Sequence, residues 1–302
     1  MDTNPSELFS VEGMVVAISG GGTGIGLMMT QAFAAGGAAK VYIIGRRKDK
    51  LDETAKLSPN IVPLVGDVTS KESLCQIAEQ IKQETGYVNL LCCNSGYMPP
   101  PIGVKSTDVS VQEYAKKALE QKTEDWVTTF STNSVSVVFN TFAFLELLDA
   151  GNRKGNCAGR KSQVIVTSSI AGYLRVPGNF GAYPASKAVI SMDELIDAAT
   201  THIVKHLSGT LAPYSIRVNA IAPGLFPSEL AAGLIAQGGT KSDKEPTEEG
   251  AYEKSFIPAE RLGKTDDIVG TLLYMASAAG AYLNGNVQVL DGGRISQLNG
   301  TY

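Results

Sequence analysis

Met14-Val15-Val16-Ala17-Ile18-Ser19, then Gly20-Gly21-Gly22-Thr23-Gly24-Ile25-Gly26, then the apolar, alanine-rich stretch from Leu27 to Ala39, decides the fold. An unbroken apolar run of strand length is what a strand buried on both faces of a parallel sheet requires. Strand, glycine-rich turn and helix in that order build a nucleotide-binding βαβ unit. The unpaired amides of the helix N-terminus receive a pyrophosphate there. The glycines are spaced G-x-x-x-G-x-G over Gly20, Gly24 and Gly26, not G-x-G-x-x-G.

The same alternation continues along the chain. Strand-like runs stand at Lys40–Ile44, Ile61–Val65, Leu90–Cys93, Gln163–Thr167, Ile216–Ala222 and from Val287. Between them lie helical stretches: one capped by Thr69 or Ser70 and running to Thr85, a short one over 111–121, and a long one from Thr123 to Ala150. Others run from Tyr183 to about Leu207 and from Asp266 to Ala279. Alternating strands and helices predict an α/β fold: a Rossmann-type doubly wound parallel sheet of about seven strands, with helices on both faces and ligands at the carboxyl ends of the strands. No linker divides the chain, so residues 1–302 read as one domain. A polar extension (1–12) precedes it, and segment 229–256 has the mixed apolar and charged composition of a substrate lid.

Composition excludes several classes. The chain has 302 residues, 43% hydrophobic and 19% charged, with a net charge of -4, which gives no electrostatic case for nucleic acid or an anionic membrane. No apolar run reaches bilayer length, and the polar start is unlike a signal peptide. Cys75, Cys92, Cys93 and Cys157 form no C-x-x-C pair and read as free thiols of a reducing, cytoplasmic compartment. His202 and His206 have no acidic or cysteine companion at ligand spacing, so no metal site is expected.

Two places carry chemistry. The second strand ends at Gly45-Arg46-Arg47-Lys48, where an acid would hydrogen-bond a ribose 2′-hydroxyl and arginine accommodates a 2′-phosphate. Three cations and no acid predict NADP(H). Tyr183 and Lys187 lie four apart, on one face of a helix. A phenol titrates near about 10, and an adjacent ammonium favours its ionised form, so the pair predicts a general acid/base working near neutrality. Ser169 adds a hydroxyl for the same oxygen. Asn133 sits in mid-helix, where asparagine has poor propensity.

Taken in order, these motifs resemble the single-domain branch of the short-chain dehydrogenase/reductase family. The likeness covers Val15 to Gly293: the glycine turn from Ser19 to Gly26, Asp67-Val68, Cys93-Asn94-Ser95-Gly96, Asn133, Ser169, Tyr183-x-x-x-Lys187, Asn219, Pro223-Gly224 and Asp291-Gly292-Gly293. The resemblance implies Tyr183 as general acid/base, Lys187 on the nicotinamide ribose, Ser169 orienting the substrate carbonyl and Asn133 supporting a water. It assigns cofactor contacts to Ser19, Gly20, Gly22, Thr23, Gly24, Ile25, Gly26, Arg46, Arg47, Asp67, Val68, Asn94, Ser95 and Gly96. Pro223, Gly224, Leu225 and Ser228 join them at the nicotinamide end.

The implied reaction is hydride transfer from NADPH to a carbonyl, on a small carbonyl or alcohol substrate, in a homodimer or homotetramer. The segment P-G-L-F-P-S-E adds a weaker likeness to 3-oxoacyl-carrier-protein reductases. Ser19, Cys93 and Ser95 depart from the usual residues, and Ser169 stands one residue further from Tyr183 than is usual. Tyr97, Leu174, Val176, Phe180, Leu225 and Phe226 predict an apolar pocket wall and a hydrophobic ketone. An NAD-dependent alcohol or polyol dehydrogenase, or a non-catalytic cofactor-binding protein, are the alternatives.

Overall fold

Seven strands alternate with helices in the order the apolar pattern predicts. The computed structural model describes residues 4–176, 180–188, 200–238, 240 and 243–300. A short α1 (Pro5–Leu8) precedes β1 (Val15–Ser19), α2 (Gly24–Ala35), β2 (Lys40–Gly45), α3 (Lys48–Ala55), β3 (Ile61–Val65), α4 (Lys71–Glu84) and β4 (Leu90–Cys93). Next come α5 (Val111–Leu119), α6 (Thr123–Phe130), α7 (Ser136–Ala143), α8 (Leu145–Lys154) and β5 (Gln163–Thr167). Then follow α9 (Ala182–Lys187), α10 (Thr200–Thr210), β6 (Arg217–Pro223), α11 (Ala232–Gln237), α12 (Thr265–Ala276) and β7 (Val287–Leu290).

The strands form one sheet in the order β3-β2-β1-β4-β5-β6-β7, with every pair parallel. The order reverses between β1 and β4, so the carboxyl ends of these strands splay apart and leave a crevice. Alternate residues of each strand feed opposite faces. Ala17, Tyr42, Leu91 and Val166 pack under α4, α7 and α10, while Ile18, Ile43, Cys92 and Ile165 pack under α2 and α12. Cys92 and Cys93 are both buried, and burial pushes the Cys93 thiol up to about 12, so they serve as small apolar core.

Several boundaries differ from the sequence reading. Residues 123–150 do not form one helix: a π-helical turn over Ser131–Val135 interrupts it, and Phe144 breaks it again. The helix starting near Tyr183 stops at Lys187, because Ala188 is extended (φ -63, ψ 158). The remainder of that predicted helix up to residue 199 lies outside the described residues, and α10 follows. Within segment 229–256, Ala251 and Tyr252 are fully buried against Leu225, Ile257 and Leu262. Among the described residues no single helix is long and apolar enough to cross a bilayer.

Candidate active site

The glycine turn is shaped by what it cannot hold. A Cβ on Gly26 would stand 2.0 Å from the Gly20 carbonyl oxygen, and one on Gly21 2.7 Å from Ile43 Cγ2. The turn therefore lies flat on β2 and brings the first turn of α2 against the end of β1. Gly24 adopts φ +54, a left-handed backbone that glycine takes without strain. Thr23 precedes α2 without a side-chain capping hydrogen bond, so the first amides of α2 keep their donors. A flat glycine cradle opening onto uncapped amides fits the pyrophosphate of a dinucleotide.

The ends of β1, β4 and β5 are stitched together behind that cradle. Ser19 Oγ accepts from the amides of Asn94 (2.9 Å) and Ser95 (3.1 Å). Asn94 Nδ2 donates to the Ser19 carbonyl (3.1 Å), and Asn94 Oδ1 accepts from Thr167 Oγ1 (3.0 Å). Lys187 Nζ donates to the Thr167 carbonyl at 2.7 Å. One polar chain thus runs from the glycine turn to Lys187. Asn94 lies at the middle of this chain.

Beyond the carboxyl end of β3, Asp67 Oδ1 accepts from the Thr69 amide and hydroxyl at 2.9 and 2.7 Å. Although partial burial opposes it, these bonds and the nearby Arg46 hold the Asp67 carboxyl below the usual range. Arg46 and the buried Val68 border a cavity of about 320 Å³ whose opposite wall is Val127, Ser131 and Val135. Arg47 reaches the other way, with Nη2 on Thr23 Oγ1 (3.2 Å) and Nη1 on the Glu229 carboxylate (3.0 Å).

Ser169, Tyr183 and Lys187 meet where β5 ends. Ser169 leaves the strand in extended conformation, and its Oγ accepts from the Ala171 amide (3.1 Å), starting a 3-10 turn over Ile170–Tyr173. The Tyr183 phenol lies near the same hydroxyl; burial pushes it above its ordinary value, with the Ser169 hydroxyl opposing. Burial also lowers Lys187 to about 7. The sequence reading, an ammonium drawing the phenol toward neutrality, is not the balance found: desolvation of both groups outweighs it.

Asn133 is 1% exposed and lies in the π turn. Its Oδ1 accepts from the Tyr97 amide (2.8 Å), and its Nδ2 donates to the Tyr97 carbonyl (2.9 Å) and Ser186 Oγ (2.9 Å). The wider helical turn is what turns this side chain inward, and π turns recur at functional sites.

At the end of β6, Pro223 closes the strand, and a Cβ on Gly224 would meet Asp291 Cβ at 2.7 Å, so the Asp291-Gly292-Gly293 turn packs directly on it. Ser228 lies beside the glycine turn, its Cβ 3.0 Å from a Cβ placed on Gly24.

Two predicted pocket walls move. Leu225 faces Tyr252 and Ile257, and Phe226 joins the core beneath α12, so neither side chain lines the substrate space. Phe180 stays exposed and packs against Trp126, with ring centroids 5.8 Å apart. Asn219 is buried at the far end of the sheet, where it ties Gln163 to the loop before β7. No group of three or more potential metal ligands occurs among the described residues.

A family model described as short chain dehydrogenase matches residues 14–238. The chain belongs to the short-chain dehydrogenase/reductase family. Within this family it is 43% identical over 301 residues to the short-chain dehydrogenase/reductase PhomF of Diaporthe leptostromiformis, covering 98% of this chain and 96% of that protein. It is 40% identical to the short-chain dehydrogenase/reductase SAT3 of Stachybotrys chartarum, covering 91% of this chain and 100% of that one. The fold is similar to that of the Pseudomonas aeruginosa RhlG/NADP active-site complex, with TM-score 0.74, 24% identity, and coverage of 96% of this chain and 99% of the other. Members of this dehydrogenase/reductase family act on CH–OH or C=O groups with a nicotinamide dinucleotide.

Sequence reasoning missed Thr167, Ser186 and Glu229 around this site. Thr167 was readable as a strand end beside Ser169. The contact between Arg47 and Glu229 spans 182 residues and left no local signal.

Proposed function

We propose that the protein is a single-domain, NADPH-dependent reductase that transfers a hydride to the carbonyl of a hydrophobic ketone or 3-oxoacyl-type substrate, with Tyr183 as general acid. The observation that carries this reading is the Ser169–Tyr183–Lys187 set at the end of β5, with Ser169 and Lys187 buried and the phenol-bearing residue half-buried. A phenol pushed above its ordinary value keeps its proton at neutral pH and is ready to give it to a developing alkoxide. An oxidation would need the same phenol ionised.

Bound NADPH would supply the hydride. The chain's own residues do the rest. Ser169 Oγ, near the phenol, would hold the substrate oxygen, and Tyr183 Oη would deliver its proton there. Lys187, fixed on the Thr167 carbonyl, offers a positive group to the cofactor ribose. The turn Ser19, Gly20, Gly22, Thr23, Gly24, Ile25 and Gly26 would hold the pyrophosphate. Asp67 and Val68 would meet the adenine, Asn94 the adenosine side with Ser95 and Gly96 as further cofactor contacts, and Pro223, Gly224, Leu225 and Ser228 the nicotinamide amide.

Arg46 and Arg47, with no acid at the end of β2, support a 2′-phosphate. Val127, Val135 and Phe142 are 60%, 46% and 46% exposed along α6, the π turn and α7, an apolar face that supports a homodimer or homotetramer.

The test is a ketone screen with NADPH and NADH in parallel. NADPH is expected to give the higher kcat/KM by about 10-fold or more, the gap closing in Arg46→Asp, as loss of a charged hydrogen bond of roughly 1.5–3 kcal/mol requires. Equal turnover with both cofactors, unchanged in the variant, would remove the NADP assignment.

A further inference from the structure

The catalytic helix α9 ends at Lys187, yet its carbonyls are capped as though it continued. Thr200 Oγ1 donates to the Ser186 carbonyl at 2.9 Å, and Thr201 Oγ1 approaches the Lys187 carbonyl at 3.4 Å, each fourteen residues back in sequence. Inside a continuous helix, a threonine or serine hydroxyl makes this contact with the carbonyl four residues back. This protein does so at Thr129 onto Asp125 (2.6 Å), Ser136 onto Thr132 (2.6 Å), Thr141 onto Val137 (2.7 Å) and Thr271 onto Asp267 (3.0 Å). Thr200 and Thr201 therefore stand one helical turn beyond Ser186 and Lys187, with ten more residues of chain than one turn needs. Ala188 leaves the helical path at ψ 158.

The two threonines also grip the groups around the site. Thr200 Oγ1 lies 2.8 Å from the Asn133 carbonyl, and Ser134 Oγ donates to the Ser186 carbonyl at 2.9 Å. Thr201 Oγ1 and Ser168 Oγ share a 3.0 Å hydrogen bond, next to Ser169 in the chain. Thr200 and Thr201 are 0% and 3% exposed. A helix of six residues leaves its last carbonyls without intrahelical partners. Here those partners come from α10.

We propose that α10 is the spatial continuation of the catalytic helix, and that Thr200 and Thr201 are positioning residues that fix the backbone carrying Tyr183 and Lys187 against Asn133 and Ser168. It follows that the ten residues 189–198 are dispensable for the site. Removing them joins Lys187-Ala188 to Ala199-Thr200, and alanine is the best helix former for the joint. The proposal rests on Tyr183 and Lys187 forming the acid pair, but the continuity of the helix can be read without activity.

The test uses the full chain and a variant lacking residues 189–198, with Thr200→Val and Thr200→Ser. The deletion variant is expected to fold to the parent's oligomeric state, to gain helical circular dichroism and thermal stability, and to keep kcat within about threefold. Thr200→Val is expected to lose about 10-fold or more in kcat with the KM for NADPH within twofold, and Thr200→Ser to recover most of the loss.

A deletion variant that does not fold, or folds with less helix and lower stability, overturns the continuity. Thr200→Val at the parental kcat, or a Thr200→Ser variant as slow as Thr200→Val, overturns the positioning role. Should Thr200→Val not fold, the deletion variant and Thr200→Ser decide. If the parent reduces no ketone, the proposed function fails while the deletion's helicity and stability still test the helix.

Discussion

Replacing Gly172 by alanine should disable the site without touching a catalytic group. Gly172 belongs to the 3-10 turn that follows Ser169, and a Cβ there would stand 2.1 Å from the Lys187 carbonyl oxygen, 2.6 Å from its carbon and 3.0 Å from the Ala188 amide nitrogen. A carbon and a carbonyl oxygen need about 3.3 Å, so the turn and the end of α9 must separate by roughly 1.2 Å. The groups in the way are backbone and cannot swing aside.

Ser169 sits on one side of that contact and Tyr183–Lys187 on the other. A misplacement of about 1 Å at a reacting centre costs roughly 100-fold in rate. Overpacking of this kind destabilises by about 1–3 kcal/mol. In a domain of this size that amounts to a drop of roughly 2–10 °C in Tm. Steady-state ketone reduction should therefore show kcat down about 100-fold. A variant with kcat within threefold of the parent and the parental Tm would refute the reasoning.

Three further outcomes are expected. Glu229→Gln frees Arg47 from its carboxylate partner, and an exposed pair is worth about 0.2–1 kcal/mol. The KM for NADPH should then fall by about 1.5- to 5-fold and that for NADH stay put, as parallel titrations would show. Lys187, lowered by burial to about 7, binds fewer protons in the folded state than in the unfolded chain between that pH and about 10. The folded protein should accordingly gain stability as pH rises from about 7 to 8.5, relative to Lys187→Met, in paired denaturant titrations. Gly26→Ala would set its Cβ 2.0 Å from the Gly20 carbonyl, and isothermal titration should find NADPH binding abolished in a folded protein.

The strands were legible because burial on both faces leaves unbroken apolar runs such as Val15–Ser19 and Gln163–Thr167. The cap of α4 was legible to within one residue, Thr69 or Ser70; it is Ser70, its side chain accepting from the Ser73 amide. Helix ends were harder. The start of α2 at Gly24 precedes the predicted Leu27, because close contact with Gly20, not propensity, sets that first turn.

Nothing between Lys187 and Thr200 marks a stop: Met192, Glu194 and Leu195 are good helix formers, and neither glycine nor proline intervenes. The end of α9 is a tertiary fact, visible only in the contacts of Thr200 and Thr201. Leu225 and Phe226 misled for a related reason. An apolar pair after a strand reads equally as pocket wall or as core, and only the packing of Tyr252 and Ile257 tells them apart.

The acid role of Tyr183 is tested most directly by Tyr183→Phe, compared with the parent for NADPH-driven ketone reduction and for NADPH binding. Removing a positioned general acid should lower kcat by about 100- to 10,000-fold while the cofactor still binds. A phenylalanine variant that reduces ketone at the parental rate would contradict the account.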